Sequence, residues 1–190
     1  CLVAMEPPTS FQADEVRNKK VDVLNAIRPI LPEQVEQFAV RGQYAAAADA
    51  DRERVAYRSE AGIDPHSATE TFAALKLYLD NWRWQGVPFT LISGKRLAEK
   101  RTEIAIHFKP VPYSMFRGSV GDAIDPNRLI LRIQPDEAVC LTFQAKAPGT
   151  MCLRTVTMNF NYVEASRRPA LTAYAKVLLD CLVGDQTLFW

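Results

Sequence analysis

The second half of the chain alternates. Ile104, Ile106 and Phe108 are interleaved with Glu103, Ala105 and His107, and Leu129, Leu131 and Ile133 with Arg128, Ile130, Arg132 and Gln134. Val139, Leu141 and Phe143 make a third run, and Val156, Met158, Phe160 and Tyr162 a fourth. A period of two puts successive side chains on opposite faces of a strand. The linkers include Asp125-Pro126-Asn127, Pro135-Asp136 and Ala147-Pro148-Gly149, which are turn formers. Strands joined by short links with no helix between them imply an antiparallel meander.

Helical spacing appears near both ends. From Asp14 to Ile27 the apolar positions are Val16, Val23, Leu24 and Ile27. Asp14 and Glu15 suit the positive end of the helix dipole, and Pro29 stops the helix. Pro169 opens a last helix, apolar at Tyr174, Val177, Leu178, Cys181 and Leu182 and closed by Gly184. Phe38 and Val40 suggest a short strand ending near Tyr44, and residues 45–66 a surface loop with a helical turn. Phe72 to Leu79 is ambiguous: its Ala and Leu favour helix, while an apolar run with one charge, Lys76, equally suits a strand buried on both faces. Trp82 to Gly86 reads as one helical turn. The pattern predicts an α+β domain, a large mainly antiparallel β-sheet with helices packed on one face. Two helices are too few to cover both faces, so the open face is expected to form a two-fold homodimer.

The chain has 190 residues, 48% hydrophobic and 24% charged, with a net charge of +1. That suits one large globular domain with a sizeable core. No apolar run reaches the roughly 18 residues of a membrane helix. Near-neutral charge and compact basic residues argue against nucleic acid as a partner, even with Trp82 and Trp84 nearby. Cys1, Cys140, Cys152 and Cys181 show no Cys-x-x-Cys spacing. They read as buried reduced thiols of a cytoplasmic protein rather than a metal site, with a Cys140–Cys152 disulfide open if their strands pair. Starting at Cys1 without methionine or a signal peptide, the chain is expected to be a piece of a longer protein.

One stretch departs from this even charge. Lys95, Arg96, Lys100 and Arg101 put four cations into seven residues, with Glu99 the one anion. They follow Gly94 and the apolar run Val87 to Ile92, where a strand empties into a loop. Flexible ammonium groups behind a glycine suit a small phosphorylated ligand, and a solvated hairpin tip is the plain alternative. His107 falls within a strand and His66 within a polar loop, poor places for a catalytic base. Gly118-Ser119-Val120-Gly121-Asp122 looks like a phosphate turn but lacks the helix that would follow one, so it reads as a loop.

The residues leading into the cluster, Asp80-Asn81-Trp82-Arg83-Trp84-Gln85-Gly86-Val87-Pro88-Phe89, carry a wider resemblance. With Gly94-Lys95 they resemble the Asn-x-Arg-Trp-x-Gly-Val-Pro-Phe and Gly-Lys pattern of the glucose-6-phosphate dehydrogenase family, in its C-terminal domain. Arg41-Gly42-Gln43-Tyr44, Thr69-Glu70-Thr71-Phe72, Arg132-Ile133-Gln134-Pro135-Asp136-Glu137 and Leu178-Leu179-Asp180 are also similar, in the family's order across nearly the whole chain.

The resemblance implies a strand at 72–79. It implies a domain, residues 1–190, that binds substrate and dimerises in an enzyme oxidising glucose 6-phosphate to its lactone with NADP. The family's Rossmann turn and its histidine base belong to an upstream region outside this sequence, so the chain alone is expected to be inactive. Lys95, Lys100 and Gln134 match family positions that contact the sugar phosphate. Arg101, Arg132 and Lys146 fall on cationic positions of a second, structural NADP site of vertebrate members. There Ile92 and Ala105 replace arginines and Asn159 an aspartate, so no structural nucleotide is expected, and Arg101 and Arg132 are expected to pair across the sheet. The alternative is a stand-alone sugar-phosphate-binding regulatory domain.

Overall fold

A computed structural model of the chain describes residues 1–49, 52–113, 124–149, 152–162 and 172–188. The Gly118–Asp122 loop and Pro169 lie outside the described residues. The chain divides into two compact units, Cys1–Leu97 with Ala173–Trp190, and Ala98–Thr172.

In the first unit, α1 (Ala13–Asn25) carries Asp14 and Glu15 in its first turn. It buries Val16 and Val23 and ends within two residues of the expected boundary. A short helix α2 (Val35–Phe38) leads into β1 (Ala39–Gly42). The expected loop at 45–66 contains a small antiparallel hairpin, β2 (Ala47–Asp49) and β3 (Arg52–Arg54), and then a 3-10 turn at Tyr57–Ser59. The ambiguous segment is a strand, β4 (Phe72–Leu77), half-buried along most of its length. It lies between β1 and β5 (Phe89–Gly94) in a three-stranded antiparallel sheet. Beyond β4, Leu79 bridges to Ile27, and a small core gathers Ala4, Val23 and Leu79 against Met5, Ile27, Trp84 and Phe89. Trp84 adds an edge contact to Phe89 at 5.2 Å and donates its indole N–H to the Ala4 carbonyl at 2.8 Å. The Arg28 guanidinium forks onto both Asp80 oxygens at 2.6–3.2 Å, and Arg28 N–H bonds the Tyr78 carbonyl.

The last helix, α3 (Ala173–Val183), ends at Gly184, whose φ of 74° is the left-handed value that glycine adopts at little cost. The Asp185 N–H returns to the Asp180 carbonyl at 2.9 Å, the six-to-one bond of a glycine C-cap. Asp180 is 2% exposed and is held by Lys176 one turn earlier.

The second unit is the meander. β6 (Thr102–His107), β7 (Arg128–Gln134), β8 (Ala138–Lys146) and β9 (Leu153–Asn161) pair antiparallel in chain order. The α+β class and the antiparallel sheet structure are as expected, and the strands form separate three- and four-stranded sheets. Two side-chain expectations are corrected. Cys140 is buried, but Cys1, Cys152 and Cys181 are exposed, and all four are free thiols. Arg101 pairs along its own segment, with Glu99 and Glu103, rather than across the sheet.

Candidate functional site

β4 fixes the approach to the basic cluster. Phe72 opens the strand between two glycines, opposite Gly42 of β1 on one side and Gly94 of β5 on the other. The preceding residue, Thr71, is 9% exposed and ties three segments together. Its N–H donates to the Gly42 carbonyl at 2.9 Å, its hydroxyl accepts the Tyr44 N–H at 2.9 Å, and its carbonyl accepts the Lys95 N–H at 2.7 Å. The backbone of Lys95 is therefore fixed at the end of β5 while its side chain is exposed.

Arg96 then turns the chain. Its φ of 52° is the one positive value at a non-glycine residue among the described residues. Such a conformation costs roughly 1–2 kcal/mol for a residue bearing a Cβ, so the surroundings must hold it. They do so through the side chain. The Arg96 guanidinium pairs with Glu60 and lies 5.3 Å from the centre of the Tyr44 ring. Tyr44 in turn packs edge-on against Tyr57 at 5.6 Å. Tyr44 and then Glu60 hold the guanidinium proton more firmly than usual. Partial burial, followed by Glu60, pushes the Tyr44 phenol above its ordinary range.

The four cations thus divide by residue type. Both arginines are committed to carboxylates, Arg96 to Glu60 and Arg101 to Glu99 and Glu103. Among the described residues, no carboxylate lies within ion-pair distance of the Lys95 or Lys100 ammonium. Arginine's fork suits fixed pairing, while lysine's flexible point charge suits an incoming anion.

Lys100 and Gln134 belong to the second unit, and Lys95 to the first. Gln134 ends β7 opposite Thr102 of β6, ahead of a cis peptide to Pro135. Lys100 sits two residues before Thr102 and is exposed, so Lys100 and Gln134 share one end of the β6–β7 ladder. His107 is exposed at the opposite end of β6, and His66 is exposed with its N–H bonded to the Asp64 carboxylate. No group of three His, Cys, Asp or Glu side chains gathers for a metal among the described residues.

The clamp on Arg96 was not anticipated from sequence. Its one signal was that Tyr44 and Thr71 both fall in blocks singled out as family-like. Those blocks meet in space: Gln43 donates to the Ser67 and Thr69 carbonyls at 2.9 and 2.8 Å, and Arg41 pairs with Glu70.

A profile described as "Glucose-6-phosphate dehydrogenase, C-terminal domain" matches residues 1–190. The chain belongs to the glucose-6-phosphate dehydrogenase family. It is 47% identical over 190 residues to the glucose-6-phosphate 1-dehydrogenase of Mycolicibacterium smegmatis, covering all of this chain and 38% of that protein. The Bacillus subtilis enzyme of the same name is 41% identical over 190 residues, with 99% of this chain and 38% of the relative covered. Among solved structures, a glucose-6-phosphate dehydrogenase in complex with its substrate glucose-6-phosphate superposes with a TM-score of 0.84 at 34% identity. The match covers 99% of this chain and 37% of that one. The enzyme from Mycobacterium avium gives 0.79 at the same identity. The chain spans less than two fifths of the length of these dehydrogenases.

Proposed function

We propose that residues 1–190 form the substrate-binding and dimerisation domain of a glucose-6-phosphate dehydrogenase, and that this chain supplies one wall of the sugar-phosphate pocket. The observation that carries the reading is the division of the basic cluster. Among the described residues, no carboxylate lies within ion-pair distance of the Lys95 or Lys100 ammonium, while carboxylates hold the two arginines that follow them in sequence. Lys95 contacts the bound sugar phosphate from the end of β5. Lys100 neutralises the phosphate, and the Gln134 amide hydrogen-bonds the substrate. These are binding and orienting roles: they hold and place glucose 6-phosphate so that its C1–H faces the hydride acceptor. NADP accepts that hydride when bound. We assign it and the base that takes the C1 hydroxyl proton to the upstream part of the enzyme, which operates in the cytoplasm in the pentose phosphate pathway.

A second nucleotide on this domain is not part of the proposal. Of the charged positions such a site would use, Arg101 is committed to two glutamates, Ile92 and Ala105 stand where arginines would be, and Asn159 stands where an aspartate would be. The stand-alone regulatory reading is not favoured, since the matched relatives are named as dehydrogenases.

The dimer is proposed to form through the sheet. Met158 and Phe160 alternate on one face of β9 and are 60% and 50% exposed, and Tyr162 stacks edge-on beside Phe160 at 4.9 Å. Apolar side chains lined up in this way on an edge strand suit an isologous contact.

The test is phosphate selectivity in the full-length enzyme. Lys100→Ala should raise KM for glucose 6-phosphate about tenfold or more while leaving turnover of free glucose nearly unchanged. Equal losses on both sugars would remove Lys100 from the phosphate.

A further inference from the structure

We propose that Arg96 is a positioning residue, which sets Lys95 for the sugar phosphate without touching it. This rests on the reading of Lys95 as a substrate contact. The turn at 94–97 is determined from both sides of Lys95. Ahead of it, a Cβ on Gly94 would sit 3.0 Å from Phe72 and 3.1 Å from Leu97, so the strand end is packed close. At Lys95 itself, the backbone N–H is bound to the Thr71 carbonyl at 2.7 Å. Behind it, the backbone adopts the left-handed conformation, φ 52°, at a residue that does not favour it.

Glycine would take that conformation unaided. Arginine takes it because its guanidinium is anchored at a distance: Glu60 holds the charge and the Tyr44 ring lies beneath it. Tyr44 is anchored in turn, since its N–H reaches the same Thr71 whose carbonyl holds Lys95. The path Thr71–Tyr44–Arg96–Lys95–Thr71 is a closed ring of contacts around the lysine backbone. Arg96 spends its charge on Glu60 and leaves the ligand-facing charge to Lys95. Releasing the guanidinium should let the turn relax, and Lys95 should lose its placement rather than its charge.

A misplacement of about 1 Å at a binding group is worth up to about a hundredfold in rate, and an exposed turn that relaxes only in part should show less. In the full-length dehydrogenase, Arg96→Gly removes the anchor and leaves a residue that takes positive and negative φ about equally well, so nothing holds the turn in its one conformation. It should raise KM for glucose 6-phosphate about five- to tenfold, with kcat and KM for NADP within about twofold of wild type. Lys95→Ala should raise the same KM, and Arg96→Gly in the Lys95→Ala background should add little, because coupled residues are not additive. Glu60→Gln, which leaves the backbone of the turn untouched, should reproduce the Arg96→Gly effect and keeps the test valid if that variant fails to fold. An unchanged KM in Arg96→Gly or Glu60→Gln, or effects that multiply in the double variant, would overturn the positioning role while leaving Lys95 in place. An unchanged KM in Lys95→Ala would instead overturn the substrate-contact reading, and this inference with it.

Discussion

Replacing Gly94 with alanine should destabilise the first unit, and the same change at Gly42 should not. Both glycines face Phe72, one from each neighbouring strand. Neither has a positive φ, so alanine is conformationally acceptable at both. They differ in space. A Cβ on Gly42 meets nothing within 4 Å. On Gly94 it meets Phe72 Cδ2 at 3.0 Å and Leu97 Cδ2 and Cγ at 3.1 Å, well inside the 3.5–4.0 Å of good carbon contacts. Overpacking of this kind costs roughly 1–3 kcal/mol. Leu97 is 48% exposed and can swing aside, but Phe72 is held in the central strand, which argues for the middle of that range. Against about 2 kcal/mol stands the reduced freedom of the unfolded chain, worth about 0.7 kcal/mol for Gly to Ala. The net loss is about 1.3 kcal/mol, or about 3–5 °C in Tm for a chain of this size. Gly42→Ala should be neutral or raise Tm by up to about 3 °C. Differential scanning calorimetry of the two variants beside wild type decides it. Equal Tm values for Gly94→Ala and Gly42→Ala would refute the close packing at the head of the basic cluster.

Asp80→Asn should lower stability at neutral pH, because the Arg28 fork holds the Asp80 carboxyl below its usual range. A depressed carboxylate contributes above its unfolded pKa and loses that contribution as pH falls through the lower folded value. The Tm gap between wild type and variant should therefore be constant above about pH 5 and close below about pH 4; a gap that persists at lower pH would show the pair is not its source. A thiol reagent should label three of the four cysteines promptly in the native chain and reach Cys140 only on unfolding; rapid labelling of all four would contradict the burial in β8. Sedimentation equilibrium should show a two-fold dimer by about 100 μM, where a contact worth about 6 kcal/mol begins to populate; a lone monomer at that concentration would exclude it.

Much of the fold was legible because strand alternation is a local signal. β6 to β9 follow the four alternating runs, and the turn-forming linkers separate them in chain order. The start of α1 and the end of α3 were legible for the same reason, Gly184 most clearly. Phe72–Leu77 was not, since alanine and leucine suit a helix and only pairing with β1 and β5 on both sides makes the segment a strand. The β2–β3 hairpin was missed because Ala47-Ala48-Asp49 shows neither alternation nor β-branched residues. The basic cluster was visible as charge, but its division was not. Glu60 lies 36 residues from Arg96, and no spacing rule connects them. The exposure of Cys152 and Cys181 was misread because apolar sequence neighbours do not bury a residue at a strand end or on an open helix face.

The most direct test of the account is the catalytic efficiency of Lys95→Ala in the full-length dehydrogenase. The loss of one charge-assisted contact, worth about 1.5–3 kcal/mol, predicts a roughly tenfold to hundredfold drop in kcat/KM for glucose 6-phosphate. Lys95→Arg should recover only part of it, because the planar fork has a different reach. Wild-type kcat/KM in Lys95→Ala would contradict the account, leaving the lysine at the end of β5 as a solvated surface charge.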